Sequence, residues 1–259
     1  QARRSVLDLF NVWGYQLVMP PLIEFTDSLL IGTGQDVEVQ SFRLTDQLSG
    51  KPMAVRADIT PQTARIDAHS LNTQGVRRLC YAGSVLHTRP KTLMASRCPI
   101  QVGAELYGDQ SIAADVEVVS LLLETLIVLE ASFITSGESG LLVQLALDLG
   151  HVTIDQAIKA ALAEAMPDLD SDDTAAIFAA IQRKSQPDLN LLLADLAIDQ
   201  DLMIILQQLP TLCGGVDVLA QAKSLLGALG PQVNKAIDQL AQIAECIAAR
   251  FPEVALYFD

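Results

Sequence analysis

The sequence contains few of the side chains that bind metal ions or form disulfides. It has three histidines and four cysteines in 259 residues, and no two cysteines stand in C-x-x-C spacing. Structural zinc sites are built from closely spaced Cys and His ligands, and secreted domains from many paired cysteines. We therefore expect no metal and no cofactor, and a chain with reduced thiols that works in the cytoplasm.

Positive charge and long apolar runs are also scarce. The sequence has 17 Lys and Arg residues and 31 Asp and Glu residues, which gives a net charge of −14. A protein that grips nucleic acid needs a basic surface, so we expect no nucleic-acid partner. A membrane span needs about 18 uninterrupted apolar residues, and residues 116–129 are broken by Glu117 and Glu124. No signal peptide is visible. The sequence starts with Gln1 and stops at Asp259 inside a predicted strand, so we expect both ends to be incomplete.

The succession of elements divides the chain into a mixed part and a helical part. Up to Gly150, predicted strands alternate with helices, which indicates an α+β fold. After Gly150, short helices rich in Ala, Leu and Asp follow one another, and residues 254–258 again have strand character. The sequence therefore predicts a core at 1–150, a helical insertion at 151–250 and a return to the core at 251–259.

Three local signals place elements within the mixed part. Strands at 42–46 and 52–55 flank a polar turn that ends in glycine, the pattern of a hairpin. Thr60 as N-cap and Pro61 as the first helical residue predict a helix over 61–68. A longer amphipathic helix is expected at 112–130, with an acidic face formed by Asp115, Glu117 and Glu124.

The stretch most informative about function contains two apolar runs, 79–86 and 100–107, separated by a polar and basic segment. This is the pattern of two strands joined by a long loop. Alternation in the second run puts Gln101, Gly103 and Glu105 on one face of a strand. An amide and a carboxylate on either side of a glycine suit a small polar ligand with an ammonium group, for which Gly103 would leave room. From spacing alone, an ordinary solvent-facing strand explains the same pattern and is the more common case.

These segments resemble the catalytic core of class II aminoacyl-tRNA synthetases, and of the histidine enzyme in particular. The predicted helix at 1–13 followed by GYQLVMPPLIE at 14–24 is similar to motif 1. VRADIT at 55–60 is similar to the loop that binds the amino acid, and the pair of apolar runs is similar to motif 2. The resemblance covers about 150 residues in the same order. It implies an antiparallel sheet with flanking helices and an α-helical insertion, and a dimer formed through the motif 1 region.

The resemblance is closer to a paralogous family, the regulatory subunits of ATP phosphoribosyltransferase. It rests on SFRLTDQLSG, VRADITPQTARIDAH, RLCYAGSVLHTRP and IQVGAELYG. It implies a non-catalytic subunit of histidine biosynthesis that activates a short-form catalytic subunit, as a hetero-octamer, and mediates feedback inhibition by L-histidine. By the same resemblance, histidine would contact Asp58, Thr60, Gln101 and Glu105.

Two departures from the synthetase pattern favour the regulatory role. His87 stands where motif 2 has the arginine that binds the α-phosphate of ATP, and Arg89 stands where it has a glutamate. A neutral imidazole does not replace a guanidinium against phosphate, so we infer that adenylation is lost. An active histidine-tRNA ligase is the alternative, and a synthetase-like enzyme acting on another amino-acid derivative is a third hypothesis.

Several of these residues also have ordinary structural explanations. Asp58, just before a helix, offsets the positive helix N-terminus in many proteins. His87 is a candidate for a contact to a ligand or a partner, but a histidine of this kind is more often hydrogen-bonded and structural than functional. Arg89 and Arg97 fit a solvated loop as well as contacts to a ligand or to the catalytic partner. The sequence leaves these alternatives open.

Overall fold

The computed structural model describes residues 1–30, 35–71, 74–90, 92, 94–134, 146–194 and 196–259. Two compact units divide the chain, Gln1–Leu141 and Leu142–Asp259. Both combine helices with short sheets, which confirms the α+β class. The predicted loop at 31–34 lies outside the described residues. No helix within the described ranges is long and apolar enough to cross a membrane.

The N-terminal unit is built from five α-helices and six strands among its described residues. The helices are α1 (Ala2–Val12), α2 (Thr26–Leu29), α3 (Gln35–Gln40), α4 (Thr60–Arg65) and α5 (Ile112–Ile134). The strands are β1 (Gln16–Leu17), β2 (Ile23–Phe25), β3 (Phe42–Thr45), β4 (Pro52–Val55), β5 (Arg77–Ser84) and β6 (Ile100–Tyr107). They form two three-stranded sheets, ordered β1-β5-β6 and β2-β4-β3.

The two predicted strand pairs of this unit are confirmed. β3 and β4 are antiparallel, and Gly50 ends their turn at φ +71°, a conformation that favours glycine. β5 and β6 are also antiparallel and pair along their whole length, from Arg77 opposite Tyr107 to Ser84 opposite Ile100. Directly opposed residues share a face, so this register decides which side chains of β5 join those of β6.

The two faces of the β5–β6 pair have different roles. Cys80, Val102 and Ala104 point into a core that also holds residues of α1 and α5, including Phe10 and Leu121. Gln101, Gly103 and Glu105 lie on the opposite face, as the alternation of the sequence predicts. Because the other face packs in the core, a shift of register by one residue would bury Gln101 and Glu105 there.

The three acidic residues expected on one face of helix α5 differ in exposure: Asp115 is exposed, whereas Glu117 and Glu124 are half-buried and bind neighbouring elements. Glu117 receives two hydrogen bonds from Arg78 of β5, each of 2.6 Å, and Glu124 accepts one from the indole of Trp13 at 2.9 Å. The exposed positions include Val118, Leu122 and Ile127. Cations and donors on the adjacent sheet and helix select the buried side of α5, and helical periodicity alone does not reveal them.

The helix after residue 60 forms, but the predicted cap is wrong. Thr60 is the first residue of α4 and Ile59 precedes it, without a side-chain cap. The hydroxyl of Thr60 instead contacts the phenol of Tyr81, on β5. A π-helical turn, Ile66–Leu71, continues α4. The tertiary partner of Thr60 has therefore replaced the local capping interaction.

The C-terminal unit is a helical array between two short strands. β7 (Ala146–Leu149) pairs in parallel with β8 (Ala255–Phe258). The α-helices between them are α6 (Val152–Ala165), α7 (Ser171–Gln182), α8 (Gln186–Leu193), α9 (Gln200–Gln208), α10 (Val218–Leu226) and α11 (Pro231–Arg250). They agree with the succession of short helices expected after Gly150. The assignment of residues 251–259 to the synthetase-like core stays a prediction.

Candidate functional site

Gln101 on β6 connects that strand to the segment before α4. Its Nε2 donates to Oδ1 of Asp58 at 2.6 Å, and its Oε1 accepts the backbone N–H of Ile59 at 2.9 Å. The same Asp58 oxygen accepts the backbone N–H of Thr60 at 3.0 Å. Both ends of the amide are therefore engaged, and Gln101 holds the Asp58 carboxylate against the first turn of α4.

A second chain of hydrogen bonds leads from Thr60 to Glu105. The Thr60 hydroxyl lies 2.9 Å from Oη of Tyr81, and Tyr81 donates to Oε1 of Glu105 at 3.2 Å. All four residues assigned to the ligand by resemblance thus belong to one connected network. The Asp58 contact with the backbone N–H of Thr60 also agrees with the structural explanation for this carboxylate.

The electrostatics of the network favour a cationic ligand. Burial raises the pKa of the Glu105 carboxyl; the negative charge of Asp58 adds to the rise, and the hydroxyls of Thr60 and Tyr81 oppose it. Burial also raises the pKa of Tyr81 to about 12. Within the described ranges, no Lys, Arg or His forms an ion pair with either carboxylate. A bound cation would relieve the repulsion between these acids.

Gly103 makes room for Tyr81 rather than for a ligand, which corrects the expectation from the sequence. Tyr81 stands directly opposite Gly103 in the strand register. A methyl group at position 103 would lie 2.8 Å from Cε2 of Tyr81 and nearer still to Cζ and Oη. Sequence reasoning missed Tyr81, although an aromatic residue opposite a glycine across a predicted strand pair was a usable signal.

Arg56 supports the segment that carries Asp58. Its side chain is buried and donates to the carbonyl oxygens of Ser84 at 2.9 Å and Pro20 at 2.8 Å. It lies against Gly83, where a side chain would overlap its Nη2. Burial lowers the pKa of Arg56. This residue was not singled out from the sequence either, and it ties residues 56–58 to the end of β5.

The three residues proposed for ligand or partner contacts lie in different environments. His87 is buried, with its Nε2 3.0 Å from the carbonyl oxygen of Ala57, so it has the structural role considered above. Arg97 donates to the His87 carbonyl at 3.1 Å and stacks over the ring of Phe42 at 5.0 Å. Arg89 is exposed and forms no ion pair with a described residue. Only the two arginines remain available to a partner.

Metal ligands are not grouped in the part of the chain that the structure describes. No set of three or more His, Cys, Asp or Glu side chains there is arranged to hold an ion. The carboxylates of Asp58 and Glu105 are joined instead through Gln101, Thr60 and Tyr81. The arrangement is suited to orienting a small organic cation by hydrogen bonds.

Comparison with known proteins places the chain in a family. The family model described as "Histidyl-tRNA synthetase" matches residues 1–259. The chain is 48% identical over 257 residues to the "ATP phosphoribosyltransferase regulatory subunit" of Marinobacter nauticus, covering 99% of this chain and 61% of that relative. The chain belongs to the family of ATP phosphoribosyltransferase regulatory subunits. It spans about three-fifths of the length of the regulatory subunits that it matches.

Solved structures show the same fold. The "ATP phosphoribosyltransferase regulatory subunit/histidyl-tRNA synthetase" from Bacillus halodurans C superposes with a TM-score of 0.76 at 21% identity, covering 98% of this chain and 62% of that one. A chain of the "ATP phosphoribosyl transferase (HisG:HisZ) complex" from Thermotoga maritima superposes with a TM-score of 0.62 at 15% identity. The match covers 100% of this chain and 79% of that one. These likenesses confirm the class II synthetase-like fold predicted for this member of the regulatory-subunit family.

Proposed function

We propose that this chain is part of a non-catalytic regulatory subunit of ATP phosphoribosyltransferase in histidine biosynthesis, and that it senses L-histidine. The observation that carries the proposal is the connected network of Asp58, Thr60, Gln101 and Glu105. Relatives named as regulatory subunits support the regulatory role, and the likeness to a chain of the Thermotoga maritima complex supports assembly with a catalytic subunit.

The ammonium group of histidine is the part of the ligand that this network suits best. Asp58 and Glu105 supply negative charge, and neither is neutralised by an ion pair to a described residue. Both are partly buried, so a cation between them interacts in a reduced dielectric. In this proposal Gln101 mainly orients Asp58, because both ends of its amide are already engaged.

The proposal also holds that synthetase chemistry is absent. In the family pattern, His87 occupies the position of the ATP-binding arginine, and its ring here is hydrogen-bonded to the carbonyl oxygen of Ala57. Arg89 occupies the position of a glutamate and reverses the charge. Transfer of an adenylyl group needs a fixed cation against the α-phosphate, which these two positions would not supply in the same way.

Regulation then requires two states of an assembly that differ in affinity for histidine. We propose a dimer through the motif 1 region and a hetero-octamer with short-form catalytic subunits. Docking would activate the catalytic subunit, and histidine would favour the less active state. Apolar side chains in the motif 1 region are exposed, among them Val12 at 81%, Leu17 at 51% and Met19 at 86%, which supports an interface there. The cytoplasmic setting expected from the sequence is part of this proposal.

Calorimetry of L-histidine with the complete protein tests the sensor directly. Saturable binding that is lost in Gln101→Ala and Glu105→Ala, retained in Lys235→Ala on the other unit, and unaffected by ATP is the expected result. In parallel, the complete protein should raise the turnover of the catalytic subunit, and histidine should lower it. Charging of tRNA with histidine by the protein alone would overturn the proposal in favour of a ligase.

A further inference from the structure

Tyr81 has one proton and two hydrogen-bond partners. Its Oη lies 3.2 Å from Oε1 of Glu105 and 2.9 Å from Oγ1 of Thr60. An ionised carboxylate only accepts hydrogen bonds, so the phenol proton belongs to the bond with Glu105. The hydroxyl of Thr60 then donates either to Tyr81 or to the Glu105 carboxylate, whose pKa it also lowers. In both arrangements the two hydroxyl protons are used within the network.

We propose that Tyr81 is a positioning residue that sets the hydrogen-bond polarity of the site. Its contacts with Thr60 and Glu105 keep both hydroxyl protons within the network and keep Glu105 as an acceptor, so that Asp58, Thr60 and Glu105 all present oxygen lone pairs. The class of group selected is one that brings several N–H donors, such as a primary ammonium. A hydroxyl in its place has one proton, and a carboxylate has none. This inference rests on the proposed function and adds the origin of its selectivity.

The packing around Tyr81 allows its phenol little freedom. The residue is 3% exposed and lies in a buried cluster with Ile59 and Val85. Its ring occupies the space above Gly103, which no side chain fills. Rotating the ring away would require displacing these neighbours, which costs free energy in a close-packed interior. The phenol oxygen is therefore held between its two partners before any ligand arrives.

The groups that face Glu105 determine what happens when the phenol is removed. Besides Tyr81, the titratable neighbours of Glu105 are Asp58 and Tyr107, and Tyr107 is also influenced by Asp67, which is ion-paired with Arg77. The hydrogen bond from Tyr81 opposes the rise in the pKa of Glu105 that burial and Asp58 cause. Without that bond, Glu105 binds a proton at higher pH and becomes a donor, and the polarity of the site is reversed at that position.

The test compares Tyr81→Phe, on β5, with a matched control on the same face of the β5–β6 pair. Tyr107→Phe also deletes one buried phenol oxygen, but this oxygen has no hydrogen-bond partner among the described residues. Histidine affinity of the complete protein is measured from about pH 5 to about pH 8. We expect Tyr81→Phe to bind about tenfold more weakly near pH 7 and to lose binding at a higher pH than the wild type. Tyr107→Phe should keep the wild-type profile, since the ligand titrates identically in all three proteins.

A selectivity measurement checks the polarity itself. Imidazole lactate carries a hydroxyl where histidine carries its ammonium group, so the wild type should strongly prefer histidine, and Tyr81→Phe should show a smaller preference. An unchanged pH profile together with an unchanged preference in Tyr81→Phe would overturn the inference while leaving histidine sensing intact.

A further measurement needs no ligand, so it separates this inference from the proposed function. Carbon-13 NMR of labelled glutamate, with the Glu105 signal assigned by Glu105→Gln, gives the carboxyl titration in the unliganded protein. The pKa of Glu105 should rise in Tyr81→Phe and stay unchanged in Tyr107→Phe. Equal titration in both variants would contradict the role of Tyr81 even if the protein binds no histidine. Thermal unfolding of each variant establishes that the fold is retained.

Discussion

The amide of Gln101 donates to the carboxylate of Asp58 at 2.6 Å, across 43 residues of sequence. This bond joins β6 to the segment before α4. A residue that resemblance assigns to the ligand thus has a structural partner already. Variants of Gln101 should therefore change the ligand site through Asp58.

Replacing Gln101 by Glu should weaken histidine binding and make it dependent on a proton. Two carboxylates at hydrogen-bond distance do not both ionise, so one of them would hold a proton near neutral pH. We expect at least about a tenfold loss of affinity, measured by calorimetry at two pH values. Gln101→Met is the control because it removes the same hydrogen bonds without adding charge. Binding by Gln101→Glu at wild-type affinity would contradict the arrangement.

Gly103→Ala should destabilise the protein because its methyl group would overlap the ring of Tyr81. Overpacking of this kind costs about 1–3 kcal/mol, which urea unfolding would measure. The matched comparison is the same substitution in a Tyr81→Ala background. If overlap with the Tyr81 ring causes the destabilisation, the double variant should lose much less free energy of unfolding than the sum of the losses in the two single variants. Additive losses would show that Gly103 is needed for another reason.

The N-terminal unit should lose stability as the pH rises above about 9. Burial raises the pKa of the Cys80 thiol to about 11, from a usual value of 9.0. It raises the pKa of Tyr81 to about 12, from 10.0. The unfolded chain therefore releases these protons at lower pH than the folded protein does. Below the unfolded values this contribution to stability is complete, and it falls as the pH rises through the folded values.

Urea unfolding at about pH 8 and about pH 11 measures this loss. Tyr81→Phe removes one of the groups that lose their proton at higher pH in the folded protein than in the unfolded chain. Its stability should therefore depend less steeply on pH than that of the wild type. A stability that does not change over this interval, or a Tyr81→Phe variant with the wild-type slope, would contradict the prediction.

The two arginines of the 85–99 loop should differ in their effects on the catalytic subunit. Arg89 is exposed and forms no ion pair with a described residue, so Arg89→Ala should leave the fold unchanged and lower activation of the partner if this loop docks. Arg97 also donates a hydrogen bond to the carbonyl oxygen of His87 and packs over the ring of Phe42, so Arg97→Ala should lower stability as well.

The control for this comparison is Lys235→Ala, which removes one exposed positive charge from α11 in the other unit. Activation is measured as turnover of the catalytic subunit at a series of concentrations of the regulatory protein. Equal activation by the wild type, Arg89→Ala and Lys235→Ala would remove this loop as a docking surface.

Elements with a clear local pattern were predictable from the sequence. The alternation of residues 100–107 predicted both the bounds of β6 and the shared face of Gln101 and Glu105. Val233, Ile237 and Leu240 recur at helical spacing in the sequence and belong to the buried stripe of α11. In each case the signal repeats with the period of the element itself, so no knowledge of distant residues is needed.

Some details of the site depend on residues far apart in the chain, and these were predicted wrongly or missed. Thr60 was expected to cap α4, but its hydroxyl contacts Tyr81, 21 residues away. Gly103 was expected to leave room for a ligand, but the register of β5 against β6 places Tyr81 there. Both outcomes are decided by which strand lies alongside, and local periodicity carries no information about that.

The sequence by itself therefore determined the type of those elements that have a clear periodic pattern, and the polar face on which a site could form, because backbone geometry repeats locally. Tertiary structure alone decided which side chains share a hydrogen bond: Gln101 with Asp58, Tyr81 with Glu105, and Glu117 with Arg78. The reason is physical. A buried polar group must find a partner, and the partner available is set by strand register and helix packing across the fold.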